Sequence, residues 1–471
     1  MLAVLAVPQS ISEAGAQLRQ GKTSSVALTR AFLSRAETLD PLLGTFVTRL
    51  DETAMAQAER ADADFSQGID KGPLQGIPLG VKDIIADSDG PTTAQSLILD
   101  RLWAADKDAP VVRRLKRAGA VIVGKTTTME FAHGAPDGTK PFPLPRNPWD
   151  VSRYPGGSSS GTANGIAAGL FLGGLGTDTG GSIRGPSALC GITGLKPTFG
   201  RVPKTGCVPL GFSLDHVGPL ARSAEDCGLI LNVIAGYHPS DPQCSKREWG
   251  QLPPLSHADI GGLRIGVDRV HPEGIQSGDS AEAFGLALDV LAALGAELVE
   301  VELPLYQEMV SIVAVTRFAE AYAYHRGDLQ SRWTDYGATT RVNLSRGALI
   351  SSSEYVQAQR VRRVVQRKLV EVFGRVDIMA SPTTGAIAEP YLSFDDEFTL
   401  SPEGGQFSNM GYWSPSGFPV MALPMGLAED MPVSLQLASS PFSELTLLKA
   451  GHAFQQATQW HRLWPPVAEL N

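Results

Sequence analysis

A chain of 471 residues, 43% hydrophobic and 19% charged, has room for about three average domains or one large α/β domain, and its composition excludes disorder. A net charge of −9 without a block of Lys or Arg argues against a basic patch for nucleic acid or an anionic membrane, so a small-molecule substrate, no nucleic acid and no membrane are expected. Met1 to Val7 lacks a basic n-region and breaks at Pro8, no apolar run nears the roughly 18 residues of a membrane span, and Cys190, Cys207, Cys227 and Cys244 show no C-x-x-C spacing; a cytoplasmic monomer or homodimer without metal or cofactor is the expectation.

Helical patterning runs through residues 11 to 66, with Ser24-Ser25 where an N-cap belongs. Gly72-Pro73 and Gly76-Ile77-Pro78 punctuate the chain, and the apolar run Leu79 to Val81 reads as a strand ending at Lys82. Val111 to Ala118 predicts an amphipathic helix and Ala120 to Val123 a buried strand. That strand lies inside Gly119 to Thr126, which satisfies the phosphate-loop pattern G-x-x-x-x-G-K-[ST]. A phosphate loop needs a curved backbone at its middle positions, whereas Ala, Val, Ile and Val are strand formers, so nucleotide binding is rejected.

Gly157-Ser158-Ser159-Ser160-Gly161 imitates a second motif, the G-x-S-x-G nucleophile elbow. An elbow follows a strand, but turn-formers precede this one, and His216 is the only tempting triad histidine; that reading is disfavoured too. What stands out instead is a pair of serine-bearing glycine turns, Gly156-Gly157-Ser158 and Gly180-Gly181-Ser182, around a small apolar segment whose length suits one buried helix and a short strand. Gly191 to Gly200 and Gly206 to Pro219 read as ordered turns. Further on, strands are expected at Leu263 to Val267 and Ala296 to Val301, a long basic helix from Ser353, and inner strands at Asp377 to Thr383, around Gly417 to Gly426 and at Pro432 to Leu437. No linker or repeat divides the chain, and one domain spanning 1–471 is expected.

The two turns, together with Gly76-Ile77-Pro78-Leu79-Gly80-Val81-Lys82-Asp83 upstream, resemble the amidase signature family of amide hydrolases. Ser158 and Ser182 stand 24 positions apart, the family's separation between its catalytic serines. The resemblance implies an α/β/α sandwich around a large mixed twisted sheet. It also implies a catalytic set of Ser182 as nucleophile, Ser158 (after a cis peptide) as proton bridge and Lys82 as base. Burial would leave that lysine neutral and able to accept a proton. The amides of Thr179, Gly180, Gly181 and Ser182 would form the oxyanion hole, with Asp178 and Arg184 shaping the loop and Ser159 and Ser160 structural.

The implied function is cofactor-free hydrolysis of a small-molecule amide through a Ser182 acyl-enzyme, possible substrates being aryl amides and carbamates. The alternative is the A subunit of a glutamine-dependent tRNA amidotransferase, which shares the catalytic set but works in a complex. Two departures from common family wording, Ser160 in place of a glycine and Thr127 in place of an asparagine, leave acyl specificity open.

Overall fold

The computed structural model describes residues 7–253, 255, 258–272, 278–391 and 408–470. Among them eleven strands join one mixed sheet: β1 (Phe46–Arg49), β2 (Pro78–Lys82), β3 (Val121–Thr126), β4 (Gly173–Asp178), β5 (Thr193–Lys196), β6 (His216–Ala221), β7 (Arg264–Val267), β8 (Glu297–Glu300), β9 (Ile378–Pro382), β10 (Val420–Ala428) and β11 (Met431–Ser439). Across the sheet they run β1-β3-β2-β4-β6-β5-β10-β11-β9-β7-β8. β2 pairs in parallel with both β3 and β4, and β7 with both β8 and β9. The remaining contacts are antiparallel. Helices cover both faces, giving the α/β/α sandwich. No helix among the described residues is long and apolar enough to cross a membrane.

Most elements fall where local chemistry puts them. Ser24 caps the helix Ser25–Leu43 by accepting from the Ala27 amide, and Ser351 and Glu354 form a capping box on the helix Ser352–Arg375. The phosphate-loop mimic is strand β3, preceded by the helix Pro110–Arg117. Two stretches expected as turns instead contain strands β5 and β6. β5 pairs with both β10 and β6, so long-range ladder bonds override the local preference of its Gly. β10 and β11 form a hairpin whose turn residues, Glu429 and Asp430, both take positive φ (48° and 61°), the backbone a two-residue hairpin turn requires.

β4 reads Gly-Gly-Leu-Gly-Thr-Asp, a poor strand by propensity, yet all six residues are buried. Its glycines allow close approach of neighbouring backbone and of the fully buried helix Ser160–Ala168. A Cβ on Gly174 would lie 2.5 Å from the Gly80 carbonyl oxygen, and one on Gly176 would lie 2.7 Å from Ser159 Oγ. Gly174→Ala is therefore expected to destabilise the fold by roughly 1–3 kcal/mol through overpacking. Gly285→Ala, in the helix Ala281–Ala293 where an added Cβ meets nothing within 4 Å, should instead stabilise by up to about 1 kcal/mol. Paired thermal melts check the contrast; equal shifts for the two variants would remove the packing argument.

Candidate active site

Lys82 ends β2, the strand flanked by parallel neighbours on both sides, and its side chain is wholly buried. Its Nζ lies 2.7 Å from Ser158 Oγ, 2.8 Å from Thr177 Oγ1 and 3.1 Å from Ser159 Oγ. Three hydroxyls suit either charge state: an ammonium donates to all three, while a neutral amine donates to two and accepts a proton from the third. Burial pushes Lys82 down to about 7, against the attraction of Asp178, Asp215 and Cys207, so a large fraction is neutral near physiological pH.

The Gly157–Ser158 peptide is cis. Gly157 is a necessity of packing, since a Cβ there would lie 2.0 Å from the Tyr154 hydroxyl. The Ser159 amide donates to the Ser182 carbonyl (3.2 Å), which draws the two serine turns together. Lys82 and Ser158 are sealed from solvent, whereas Ser182 is only partly buried. A partly exposed serine is thus backed by buried groups that can hold or move a proton away from water.

Asp178 ends β4 and folds the second turn around its carboxylate. Oδ1 accepts from the Gly181 amide (2.8 Å) and Oδ2 from the Ile183 amide (3.2 Å), while Arg184 Nε and Nη2 donate to Oδ2 and Oδ1 at 3.0 and 3.1 Å. Burial alone would raise this carboxyl, but Arg184, aided by Lys196 and His216, holds it well below the usual carboxylate range. Because the Gly181 N–H is bonded to Asp178, it is not free for an oxyanion. Among the described residues the Gly180 and Ser182 amides have no protein acceptor. Thr179 is fixed by its hydroxyl, which donates to Asp215 Oδ1 at 2.6 Å.

The two departures lie away from the open side of the centre. Ser160 is buried and donates to the Gly156 carbonyl (2.7 Å), bracing the cis-serine turn. Thr127 is buried and donates to the Gly44 carbonyl (2.8 Å). His216, the candidate for a histidine triad, sits on β6 with Nδ1 2.6 Å from the Leu214 carbonyl and 3.2 Å from that of Asp178. Lys125 of the phosphate-loop mimic is buried against the Ile85 carbonyl and Thr92 Oγ1, at 2.8 and 2.6 Å.

Thr177 is the residue that sequence reasoning missed, together with the contact of Ser159 to Lys82. Its one signal is its place directly before Asp178, at the end of a strand beside β2. A cavity of about 380 Å³ reaches the centre through Thr177 and Thr179 and has apolar walls that include Ile84, Val208, Pro209 and Leu210; Ser182 is not part of its lining. Among the described residues no group of three or more His, Cys, Asp or Glu could hold a metal ion.

A mixed sheet carrying a buried lysine, a cis-serine turn and a second serine turn is the arrangement of an enzyme that cleaves amide C–N bonds. The Amidase family model matches residues 27–448, and the chain belongs to the amidase family. It is 38% identical over 482 residues, 97% of this chain and 98% of the relative, to the A subunit of glutamyl-tRNA(Gln) amidotransferase from Roseiflexus sp. (strain RS-1). Among solved structures, a chain of a vestigial protein complex that reveals the origins of an s-triazine catabolic enzyme is 33% identical with a TM-score of 0.87, covering 95% of this chain and 98% of that one. The glutamyl-tRNA(Gln) amidotransferase A subunit from Thermotoga maritima is 28% identical with a TM-score of 0.77, covering 95% and 94%.

These relatives overturn one expectation, that of a small-molecule partner, no nucleic acid and a monomer or homodimer. A protein named as the A subunit of a glutamyl-tRNA(Gln) amidotransferase is named as one member of an assembly and for a tRNA. The physical reason is that a net charge of −9 speaks only to a basic patch on this chain's own surface. It says nothing of what an assembly as a whole contacts.

Proposed function

We propose that this chain is the amide-cleaving A subunit of a glutamine-dependent tRNA amidotransferase, releasing ammonia from the glutamine side chain through an acyl-enzyme on Ser182. The observation that carries the chemistry is the 2.7 Å contact between buried Lys82 Nζ and Ser158 Oγ, beside a half-buried serine. Membership of such an assembly is supported by 38% identity over nearly the full length of both chains.

In this reading Ser182 Oγ attacks the carboxamide carbon. Its proton passes to Ser158 as the Ser158 proton passes to neutral Lys82. The relay then runs backwards, Ser158 protonates the leaving nitrogen, the C–N bond breaks, and ammonia departs from a glutamyl ester on Ser182. Water repeats the sequence and releases glutamate. The Gly180 and Ser182 amides, with Thr179 beside them, stabilise the oxyanion; losing one such donor typically costs about a hundredfold or more in rate.

A second reading, an amidase acting on a small molecule such as an aryl amide or carbamate, is favoured by one observation. The fold matches the chain of the vestigial complex, linked to s-triazine catabolism, at a TM-score of 0.87 and the Thermotoga amidotransferase chain at 0.77. Ammonia release from L-glutamine, measured beside hydrolysis of an anilide and an aryl carbamate, separates the two. Glutamine turnover abolished by Ser182→Ala is expected. Faster turnover of the anilide or carbamate than of glutamine would replace the first reading with the second.

A further inference from the structure

The nucleophile turn is faced by a cation that no acid among the described residues neutralises. Arg317 lies on the helix Tyr306–Ser331, and a Cβ built on Gly180 would stand 3.2 Å from its Nη1. Its Nε is buried without a hydrogen-bond partner, and it forms no ion pair among the described residues. Glu320, on the same helix, is bonded to Ser213 and Tyr355 instead. Arg317 and Arg346 lie 5.0 and 5.8 Å from the Phe318 ring centroid. His133 packs edge-on against the same ring at 5.6 Å, with its buried Nε2 also unpartnered. Arg317 as a whole is partly exposed, but an Nε–H buried without an acceptor is costly unless something else completes it.

We propose that Arg317 anchors a carboxylate of the substrate, so that the site takes short amides bearing a free acid a few carbons from the scissile carboxamide. The inference deepens the glutamine reading above and rests on it for the identity of the natural substrate. The spacing supports a short substrate: Gly180 and Ser182 are two residues apart, at most about 7 Å along the chain, so an acid on Arg317 and a carbonyl at Ser182 are bridged by only a few bonds. A guanidinium fork binds carboxylate in bidentate fashion and gives both affinity and orientation. Burial and the neighbouring Arg346 push Arg317 down to about 10, which leaves it charged at neutral pH. His133, held well below its ordinary value by burial, Arg317, His325 and Arg346, stays neutral, so Arg317 and Arg346 supply the positive charge around the Phe318 ring.

The test compares succinamate with butyramide, its uncharged relative of equal chain length, in wild type, Arg317→Ala and Arg317→Lys. The preference in kcat/KM for succinamate should fall roughly 10- to 100-fold in Arg317→Ala, mainly through KM, and return in part in Arg317→Lys. Equal losses on both amides, or a preference that survives, would overturn the anchor and point to a general role in shaping the turn. If neither amide is turned over, calorimetry decides: Ser182→Ala protein should bind succinamate and the Ser182→Ala/Arg317→Ala protein should not, and absence of binding to the first overturns the proposal. Glutamine in the same assay keeps the two ideas apart. Arg317-dependent preference for succinamate without glutamine turnover removes the glutamine reading alone, and glutamine turnover with equal losses on both test amides removes the anchor alone.

Discussion

Lys82→Met is expected to abolish amide turnover while raising, rather than lowering, stability at neutral pH. Removing one member of a nucleophile–base relay costs roughly 10⁴-fold or more in rate. In the wild type kcat/KM should rise with pH through about 7, the value at which Lys82 loses its proton, because the neutral amine is the form that accepts one. The stability effect follows from the same burial. Lys82 drops from 10.5 to about 7 on folding, so between those values the unfolded chain binds a proton that the folded protein does not, and wild-type stability rises with pH by at most about 1.4 kcal/mol per unit. At pH 7 and below that contribution is absent, and the total at stake is on the order of 5 kcal/mol.

Methionine has no charge to desolvate, and the Ser158, Ser159 and Thr177 hydroxyls it leaves can bond one another, each lost bond costing about 1 kcal/mol. Urea unfolding at pH 7 should therefore find the variant more stable, with the gap narrowing steadily as pH rises toward the unfolded lysine value of 10.5. A gap independent of pH, or a variant that still hydrolyses amides, would sink the argument.

The motifs are legible because they are local, and the architecture that gives them meaning is legible only in part. Lys82 at a strand end and two serine turns at a fixed spacing are written in contiguous residues, and the structure brings those stretches together. The strand character of β4 is harder to read. Glycine scores against a strand by propensity, and what keeps β4 in the sheet is the backbone of β2, far upstream in sequence, together with the buried helix just before it. β5 reads as a turn for the same reason. The phosphate-loop mimic fails on its middle residues and the elbow mimic on the residues before it, and the middle residues of the first do form strand β3. Two features have no local signal. That Gly181 donates to Asp178 rather than standing free depends on the rotamer of one carboxylate. That Arg317 reaches Gly180 depends on a helix more than a hundred residues downstream. The assembly for which the relatives are named has no signature either, because net charge describes a surface and not the company it keeps.

Arg184→Met should be the most destabilising change in the Ser182 turn. Arg184 is fully buried, and its guanidinium donates to Asp178, to the Met410 carbonyl (3.0 Å), to Gln436 Oε1 (3.1 Å) and to Ser414 Oγ (2.9 Å), joining the turn to the helix Ser408–Ser416 and to β11. Methionine fills much of the same volume but leaves Asp178 as a buried carboxylate without its counter-ion, and breaking such a pair from one side costs about 3–5 kcal/mol. Adding Asp178→Asn should recover part of that loss, since its amide oxygen can still accept from the Gly181 N–H and nothing charged remains stranded.

The pH dependence separates this account from a simple packing defect. In the wild type Asp178 is held below its unfolded value, so its contribution is present above about 4 and is lost as pH falls toward the folded value. Without Arg184, burial should raise the carboxyl above its unfolded value, so the variant gains from protonation while the wild type loses. The deficit of Arg184→Met should therefore shrink between about pH 7 and pH 4, the window above the unfolded carboxylate value, and that of Arg184→Met/Asp178→Asn should stay flat. A deficit in Arg184→Met that is the same at both pH values would mean that lost shape, not a stranded charge, is what the guanidinium prevents.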